Sequence, residues 1–453
     1  MENMKRTLAK ETVNMVDKEV LVKGWVHVRR DHGKILFIDL RDRSGLLQVV
    51  FPLKEMSEKD SEIAKSLRSE DVIYVHGIVQ KRSERSINPN LESGSVEVFA
   101  KSLELIEKAE TLPFDMSAQE LNVELPTLLD YRGLTLRHAK VKSIFRIQEV
   151  VIDAFRRFMQ SNEFMEFQAP TMIPTVPEGG AEVFEVKYFD HKVYLAQSPQ
   201  LYKQILTGAF ERVFSVNKIC RAEPSVTTRH LTEAISLDAE MGFIDSWVDV
   251  RLMADATIKF IIKEVGEKCS KELLLHQEEL PKFIDNTPCV TLREAQELIF
   301  KRTGRDIRKE KDLDPEGERE MCRWALEEHG SDLVFVSHFP TKMRPFYTYP
   351  DDENPEFNQG FDLLGKGVEW LTGGRRISNY ETLMKNAKTW GVNAEKLGLY
   401  LQSFAYGMPP EGGFAFGAER ITQNILGLKN IREASLFPRD MERVDFRLST
   451  LED

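Results

Sequence analysis

The sequence predicts an α+β chain of two domains, a small barrel of short strands followed by a larger domain in which strands and helices mix. Three observations carry this. Strand-like runs crowd the first 110 residues, a polar stretch with two prolines follows at 107–130, and the remainder lacks the regular βαβ alternation of a doubly wound sheet. With 453 residues, 42% hydrophobic and 30% charged, the chain is long enough for two or three domains.

The barrel runs are EVLVKGWVHV (19–28), KILFIDL (34–40), LLQVVF (46–51), DVIYVHGIV (71–79) and SVEVFAKSLEL (95–105). Alternation is visible, as in Val96-Glu97-Val98, and Gly, Asp, Ser or Pro break the runs. Between the third and fourth runs, SEKDSEIAKSLRSE (57–70) sets Ile63, Ala64 and Leu67 at helical spacing behind Ser57, a suitable N-cap. Three strands, a helix and two strands is the order of an OB-fold, which we place at 1–106. Residues 107–130, with Pro113 and Pro126, then form a linker, and the second domain spans 131–453. That domain opens on KVKSIFRIQEVVIDAFRRFMQSN (140–162), a helix with Ile144, Ile147, Val151, Ala154 and Phe158 on its core-facing stripe.

Composition excludes several classes. No run approaches the roughly 18 apolar residues of a membrane span and the first residues lack a signal region, so a cytoplasmic enzyme is expected. Cys220, Cys269, Cys289 and Cys322 are scattered without metal-ligand spacing and read as reduced thiols. The net charge of −11 argues against a broadly basic nucleic-acid binder, although the first 110 residues are balanced and the deficit lies downstream. Neither GxGxxG nor GxxxxGK[ST] occurs, so any nucleotide chemistry needs another scaffold.

Three segments carry candidate chemistry. FSVNKICRAE (214–223) and HLTEAISLDAE (230–240) form a hairpin-like pair in which alternation groups Arg221 with Glu223, and Ser236 with Asp238 and Glu240. Such charges on an apolar sheet are costly unless they pair or meet a ligand, and a structural ion-pair network is the competing reading. In FDLLGKGVEWLTGGRR (361–376), Asp362 and Glu369 flank a glycine turn, a pair suited to Mg²⁺ bridging carboxylates and phosphate oxygens. In GGFAFGAERITQNILGL (412–428), Arg420 stands near a helix start, where it can clamp a triphosphate or simply face solvent.

Together these segments resemble the three signature motifs of class II aminoacyl-tRNA synthetases. Motif 1 ends in Pro170 of EFMEFQAP, motif 2 carries Arg221-Ala-Glu223, and motif 3 closes on Arg420. An OB-like domain in front places the resemblance in the subclass of the aspartyl, asparaginyl and lysyl enzymes. Within it, EGGAEVF (178–184), QSPQLYKQ (197–204), TTRHLTE (227–233) and GVEWLTGGRR (367–376) look like the aspartyl branch, in its shorter archaeal and eukaryotic form. The resemblance implies an antiparallel catalytic sheet flanked by helices, a homodimer, and ATP, Mg²⁺, L-aspartate and tRNA-Asp as ligands, with tRNA-Asn an open possibility.

Site residues carried over from the resemblance are specific. Lys203 and Arg376 would receive the substrate side-chain carboxylate, and Gln200, Thr372, Asp238 and Glu178 would complete the amino-acid pocket. An asparagine amide opposite Lys203 would strand a buried charge at about 3–5 kcal/mol, or about 10²–10³·⁵ in selectivity. Arg221 would bind the α-phosphate, Glu223 the adenosine, Arg229 and His230 the outer phosphates, and Arg420 the γ-phosphate, with Asp362 and Glu369 on Mg²⁺. In the barrel, Arg30, Phe37 and Gln48 match anticodon-reading positions.

Four departures from the family pattern stand out: Thr372 where Ser is frequent, Arg375 for Gln, Ala234 for an adenine-stacking Phe, and Pro224 at the motif 2 loop. The rival readings are an asparaginyl enzyme, which Lys203 contradicts, and a silent paralogue, which the intact Arg221, Arg420, Asp362 and Glu369 contradict.

Overall fold

Period-two alternation closes the N-terminal strands into a barrel. The structure is a computed structural model describing residues 4–175, 182–224 and 227–450. The chain divides into compact units at Met1–Val123 and Glu124–Asp453.

In the first unit, β1 (Glu19–Asp31), β2 (Ile35–Asp42), β3 (Gly45–Pro52), β4 (Val72–Lys81) and β5 (Val96–Glu107) form a closed barrel in the order β1-β2-β3-β5-β4. Helix α1 (Glu58–Ser66) lies between β3 and β4, its first turn capped by Ser57 accepting from the Asp60 N–H at 3.1 Å. The inward set includes Leu36, Ile38, Val49, Phe51, Ile73, Val75 and Val98, all with at most 2% exposure in the barrel core. Phe37 falls on the other face and is half-buried.

The second unit begins within the stretch expected to be a linker. Leu125–Asp130 is a helix, α2, because Pro126 sits in its first turn, where a missing N–H costs nothing. Helix α3 (Ala139–Ser161) follows, and its buried stripe runs through Ile144, Ile147, Val151 and Ala154 to Phe155 and Met159. Phe158 is only partly buried at its margin, so the stripe drifts by one position over the last turn.

Strands β6 (Met165–Glu166), β7 (Arg212–Cys220), β8 (Glu233–Gly242), β9 (Cys289–Thr291), β10 (Leu333–Ser337), β11 (Gly360–Gly365), β12 (Val368–Arg375) and β13 (Glu411–Gly417) make one sheet. Its order is β9-β10-β11-β12-β13-β8-β7-β6. The six inner strands pair antiparallel, as expected, whereas each edge strand joins in parallel, β6 on β7 and β9 on β10. One hydrophobic core packs α3 and helix α4 (Trp247–Lys268) against this sheet through Ile147, Phe155, Ile258, Phe214, Phe335 and Phe414. The β11–β12 turn has positive φ at Lys366 and Gly367, the backbone a tight hairpin needs. Four more helices matter for the site: α5 (Gln200–Phe210), α6 (Pro315–His329), α7 (Gly398–Ala405) and α8 (Ala418–Ile425). Among the described residues, no helix is long and apolar enough to cross a membrane.

Candidate active site and nucleic-acid face

Alternation along β8 turns Ser236, Asp238 and Glu240 to one face, and the first turn of α5 delivers Gln200 and Lys203 to the same place. One recess is lined by Gln200, Lys203, Arg221, Asp238, Arg344, Thr372 and Arg376. A second is lined by Arg221, Glu223, Arg229, His230, Ala234, Glu369 and Arg420. Ile219, Arg221, Ser236, Thr372 and Ala415 line both, so the two recesses form one cleft. Glu178 lies outside the described residues.

The floor of the first recess is a buried charge network. Lys203 Nζ lies 3.1 Å from Asp238 Oδ1 and 3.1 Å from Glu240 Oε2. Arg376 Nε donates to Glu240 Oε1 at 2.8 Å and its Nη2 to the Gly413 carbonyl at 3.1 Å. Burial opposes the charge on Arg376, but Glu240 outweighs it and holds the guanidinium above its ordinary pKa. Behind them, Gln204 Nε2 donates to Glu411 Oε1 at 2.9 Å, while its own Oε1 accepts from Gln200 Nε2 at 3.0 Å and the Tyr400 hydroxyl at 3.2 Å. Burial, then the neighbouring Glu240 charge, pushes the Glu411 carboxyl well above the usual range. Lys203 and Arg376 thus face two carboxylates in direct contact, Asp238 and Glu240.

This balance corrects the selectivity argument drawn from the sequence. Lys203 already has two carboxylate partners, so an amide opposite it strands no charge and the 3–5 kcal/mol penalty does not arise in that form. The side-chain carboxylate of a substrate instead competes with Asp238 and Glu240 for Lys203 and Arg376.

Glycines give this floor its room. Gly374 faces Gly413 across β12 and β13, and a Cβ on Gly413 would collide with the Glu240 carboxylate and the Ala239 carbonyl. Arg375, the departure next to Arg376, lies with its guanidinium 4.1 Å over the Tyr349 ring and is not among the residues lining the cleft.

In the second recess, the β7–β8 ladder continues past the strand ends with Arg221 N–H donating to Thr232 O at 2.8 Å. Arg221 and Glu223 share a face, 3.8 Å apart, and His230 Nε2 is 3.7 Å from the other Glu223 oxygen. Arg229 is held on Glu318 of α6 at 2.8 Å, and Arg420 donates to the Glu369 carbonyl at 3.1 Å. Ala234 lines the recess with Ile219, Leu231 and Ile431, an aliphatic patch.

Asp362 and Glu369 are the candidate cation carboxylates. Asp362 Oδ2 accepts from Arg344 Nη2 at 2.5 Å, while its Oδ1 is buried without a hydrogen-bond partner. Enclosure, then the charge of Asp362, pushes Glu369 up to about 7. A bare buried carboxylate oxygen beside a second acid fits a hard cation. Among the described residues no three His, Cys, Asp or Glu side chains form a metal-holding group, so other ligands must come from phosphate or water.

Arg344, Glu318, Gln204, Tyr400 and Glu411 were not foreseen from the sequence. Glu240 had a signal, since it follows Asp238 by two in a strand. Arg344 and Glu318 lie in segments with no motif, and only the fold brings them to the cleft.

On the barrel, Arg30 and Phe37 are paired across β1 and β2, and Gln48 stands opposite Asp39 on β3. Arg30 makes a two-pronged contact with Asp39 at 2.6 and 2.8 Å and reaches Gln48 Oε1 at 3.2 Å. Gln48 Nε2 in turn donates to Glu97 at 2.6 Å, and His32 meets Phe37 edge-on at 5.5 Å. An aromatic ring on an outer face, ringed by hydrogen-bonding side chains, suits stacking of an unpaired base.

The family models match both units: residues 124–441 match "tRNA synthetases class II (D, K and N)" and 20–106 match "OB-fold nucleic acid binding domain". The chain belongs to the class II tRNA synthetases of the D, K and N group. Among curated relatives of this class II synthetase, the Pyrococcus horikoshii aspartate–tRNA(Asp) ligase is 41% identical, over 96% of this chain and 97% of that one. The Thermus thermophilus aspartate–tRNA(Asp/Asn) ligase is 39% identical, over 97% and 99%. Among solved structures, the Pyrococcus horikoshii asparaginyl-tRNA synthetase complexed with asparaginyl-adenylate superposes with TM-score 0.89 at 29% identity, over 97% and 99%.

Proposed function

We propose that this class II synthetase is an aspartate–tRNA ligase, which joins L-aspartate to ATP as aspartyl-adenylate and then to the 3′ end of tRNA-Asp. The reading is supported by near-full-length identity of 39–41% to ligases so named. The observation that carries it is the pair of buried cations, Lys203 and Arg376, at one end of a cleft whose other end holds Arg221, Arg229 and Arg420.

In this reading Lys203 and Arg376 take the aspartate side chain, and Asp238, Gln200 and Glu178 orient its ammonium end. Thr372 lines the same end. Arg221 holds the α-carboxylate against the α-phosphate, so that attack runs in line and pyrophosphate leaves on the far side. Glu223 contacts the adenosine, Arg229 and His230 hold the outer phosphates, and Arg420 brackets the γ-phosphate. Asp362 and Glu369 would hold Mg²⁺, which when bound neutralises charge on the phosphate oxygens. No protein side chain acts as nucleophile, and rate comes from positioning and charge stabilisation. The adenosine 3′-hydroxyl of tRNA then attacks the adenylate carbonyl.

Exposed Met165 on β6, Phe210 at the end of α5 and Phe243 just after β8 support a homodimer through the motif 1 region. A single species of monomer mass in sedimentation equilibrium would remove that part of the reading. A cytoplasmic location accompanies it.

Amino-acid-dependent exchange of pyrophosphate into ATP tests the activity. Exchange with aspartate but not asparagine or lysine is expected, and exchange with asparagine alone overturns the assignment. A wider tRNA range is a second reading, favoured by the Thermus relative's name, and charging of both transcripts decides it. Phe37→Ala is expected to weaken charging by about 1–3 kcal/mol of lost stacking while exchange stays intact. Loss of both would instead mark Phe37 as part of the barrel's structure.

A further inference from the structure

Arg344 enters the cleft from the connection between β10 and β11, with its backbone held by Trp390 Nε1 donating to its carbonyl at 3.0 Å. Its Nη2 donates to Asp362 Oδ2 at 2.5 Å, its Nη1 to Thr372 Oγ1 at 3.2 Å, and its guanidinium lies 4.1 Å over the Phe339 ring. Packing and three directed contacts fix this cation beside Asp362, a residue only 6% exposed.

The contact is one-sided. Arg344 covers Asp362 Oδ2, while Oδ1 is buried and without a hydrogen-bond partner. Asp312 also acts electrostatically on both Asp362 and Arg344, and Glu369 stands on the neighbouring strand between Arg344 and Arg420, so Arg344 is the guanidinium in direct contact with Asp362. A divalent cation arriving without other anions would meet a positive charge already on its carboxylate. A nucleotide triphosphate brings the negative charge that lets both cations remain.

We propose that Arg344 is a built-in counter-ion on the Asp362 carboxylate, which keeps the site from binding a divalent cation by itself and makes cation uptake depend on nucleotide. The proposal rests on reading Asp362 and Glu369 as the cation carboxylates. It assigns Arg344 a role that precedes phosphate binding: it sets the order in which cation and nucleotide enter. In nucleotide-bound protein the guanidinium is released from Asp362 toward a phosphate oxygen, a hydrogen-bond partner of equal charge and matching geometry.

The test is Mn²⁺ binding to the full chain, read by isothermal titration and by the electron paramagnetic resonance signal of free Mn²⁺, with and without a non-hydrolysable ATP analogue. Arg344→Met keeps a stem over Phe339 and removes the charge. Without nucleotide it is expected to bind Mn²⁺ about 10- to 100-fold more tightly than the unaltered protein, the worth of one charged hydrogen bond. With the analogue present, the two proteins are expected to differ little. No gain without nucleotide overturns the proposal. Arg344→Lys keeps a charge but loses the fork, and an intermediate gain is expected; if Arg344→Met does not fold, absence of any gain in Arg344→Lys overturns it instead. Asp362→Asn separates the two levels: Mn²⁺ uptake with nucleotide that survives this change refutes the carboxylate assignment itself. Uptake lost in Asp362→Asn, with no gain in either Arg344 variant, refutes the counter-ion alone.

Discussion

Lys203→Met is expected to lower aspartate-dependent pyrophosphate exchange by at least about 10²–10³-fold and to destabilise the protein by about 3–5 kcal/mol. Both effects follow from the same geometry. Lys203 is 1% exposed and lies 3.1 Å from both Asp238 and Glu240. Its loss leaves Asp238 with the Ser236 hydroxyl at 2.5 Å and Glu240 with Arg376, two buried acids sharing one cation. The substrate carboxylate would then enter a pocket of excess negative charge. Exchange and thermal unfolding on the same sample check this, and activity within about twofold of the unaltered protein would discard the pocket assignment. Full stability with lost activity would mean that Asp238 has found another donor, and the catalytic half of the prediction would stand.

Arg221→Ala is expected to act in the opposite manner, through chemistry without stability. Its side chain is 48% exposed, and its ion-pair contact with Glu223 is long, at 3.8 Å. Such a residue adds little to folding, within about 0.5 kcal/mol. Charge on the α-phosphate develops in the transition state, however, and removing one preorganised donor from that position costs about 10²–10³-fold in kcat. The check is kcat for exchange beside the unfolding midpoint. An unchanged midpoint with kcat reduced at least a hundredfold is the expected pair of results; kcat within about fivefold would remove Arg221 from the transition state.

The parts of the fold governed by local periodicity were readable in advance. Strand alternation predicts β1 to β5, Ser57 predicts the α1 cap, and the 3.6 period predicts α3 to within a residue. Where tertiary packing decides, the sequence falls short: Phe155 and Met159 take the buried face at the end of α3, and Pro126 starts a helix where it was read as a break. The same division runs through the site. That Arg221, Lys203 and Arg420 belong together could be expected from motif resemblance, because each is tied to a short local pattern, and all three line the cleft. Their partners were not, because Glu318 comes from α6, Glu411 from β13 and Arg344 from an irregular connection, each brought close only by sheet order. A sequence shows where a charge is, but the neutralising group belongs to the fold.

Glu240 and Gly413 also constrain how the amino-acid pocket can diverge. The acid occupies the volume that any side chain at 413 would need, and it is shared between Lys203 and Arg376. Every substitution at 413 must therefore move the group on which both cations rest. Replacing the acid would not open the position either, because the Ala239 carbonyl blocks the same volume, so a lineage that reshapes this floor must do it from positions other than 413.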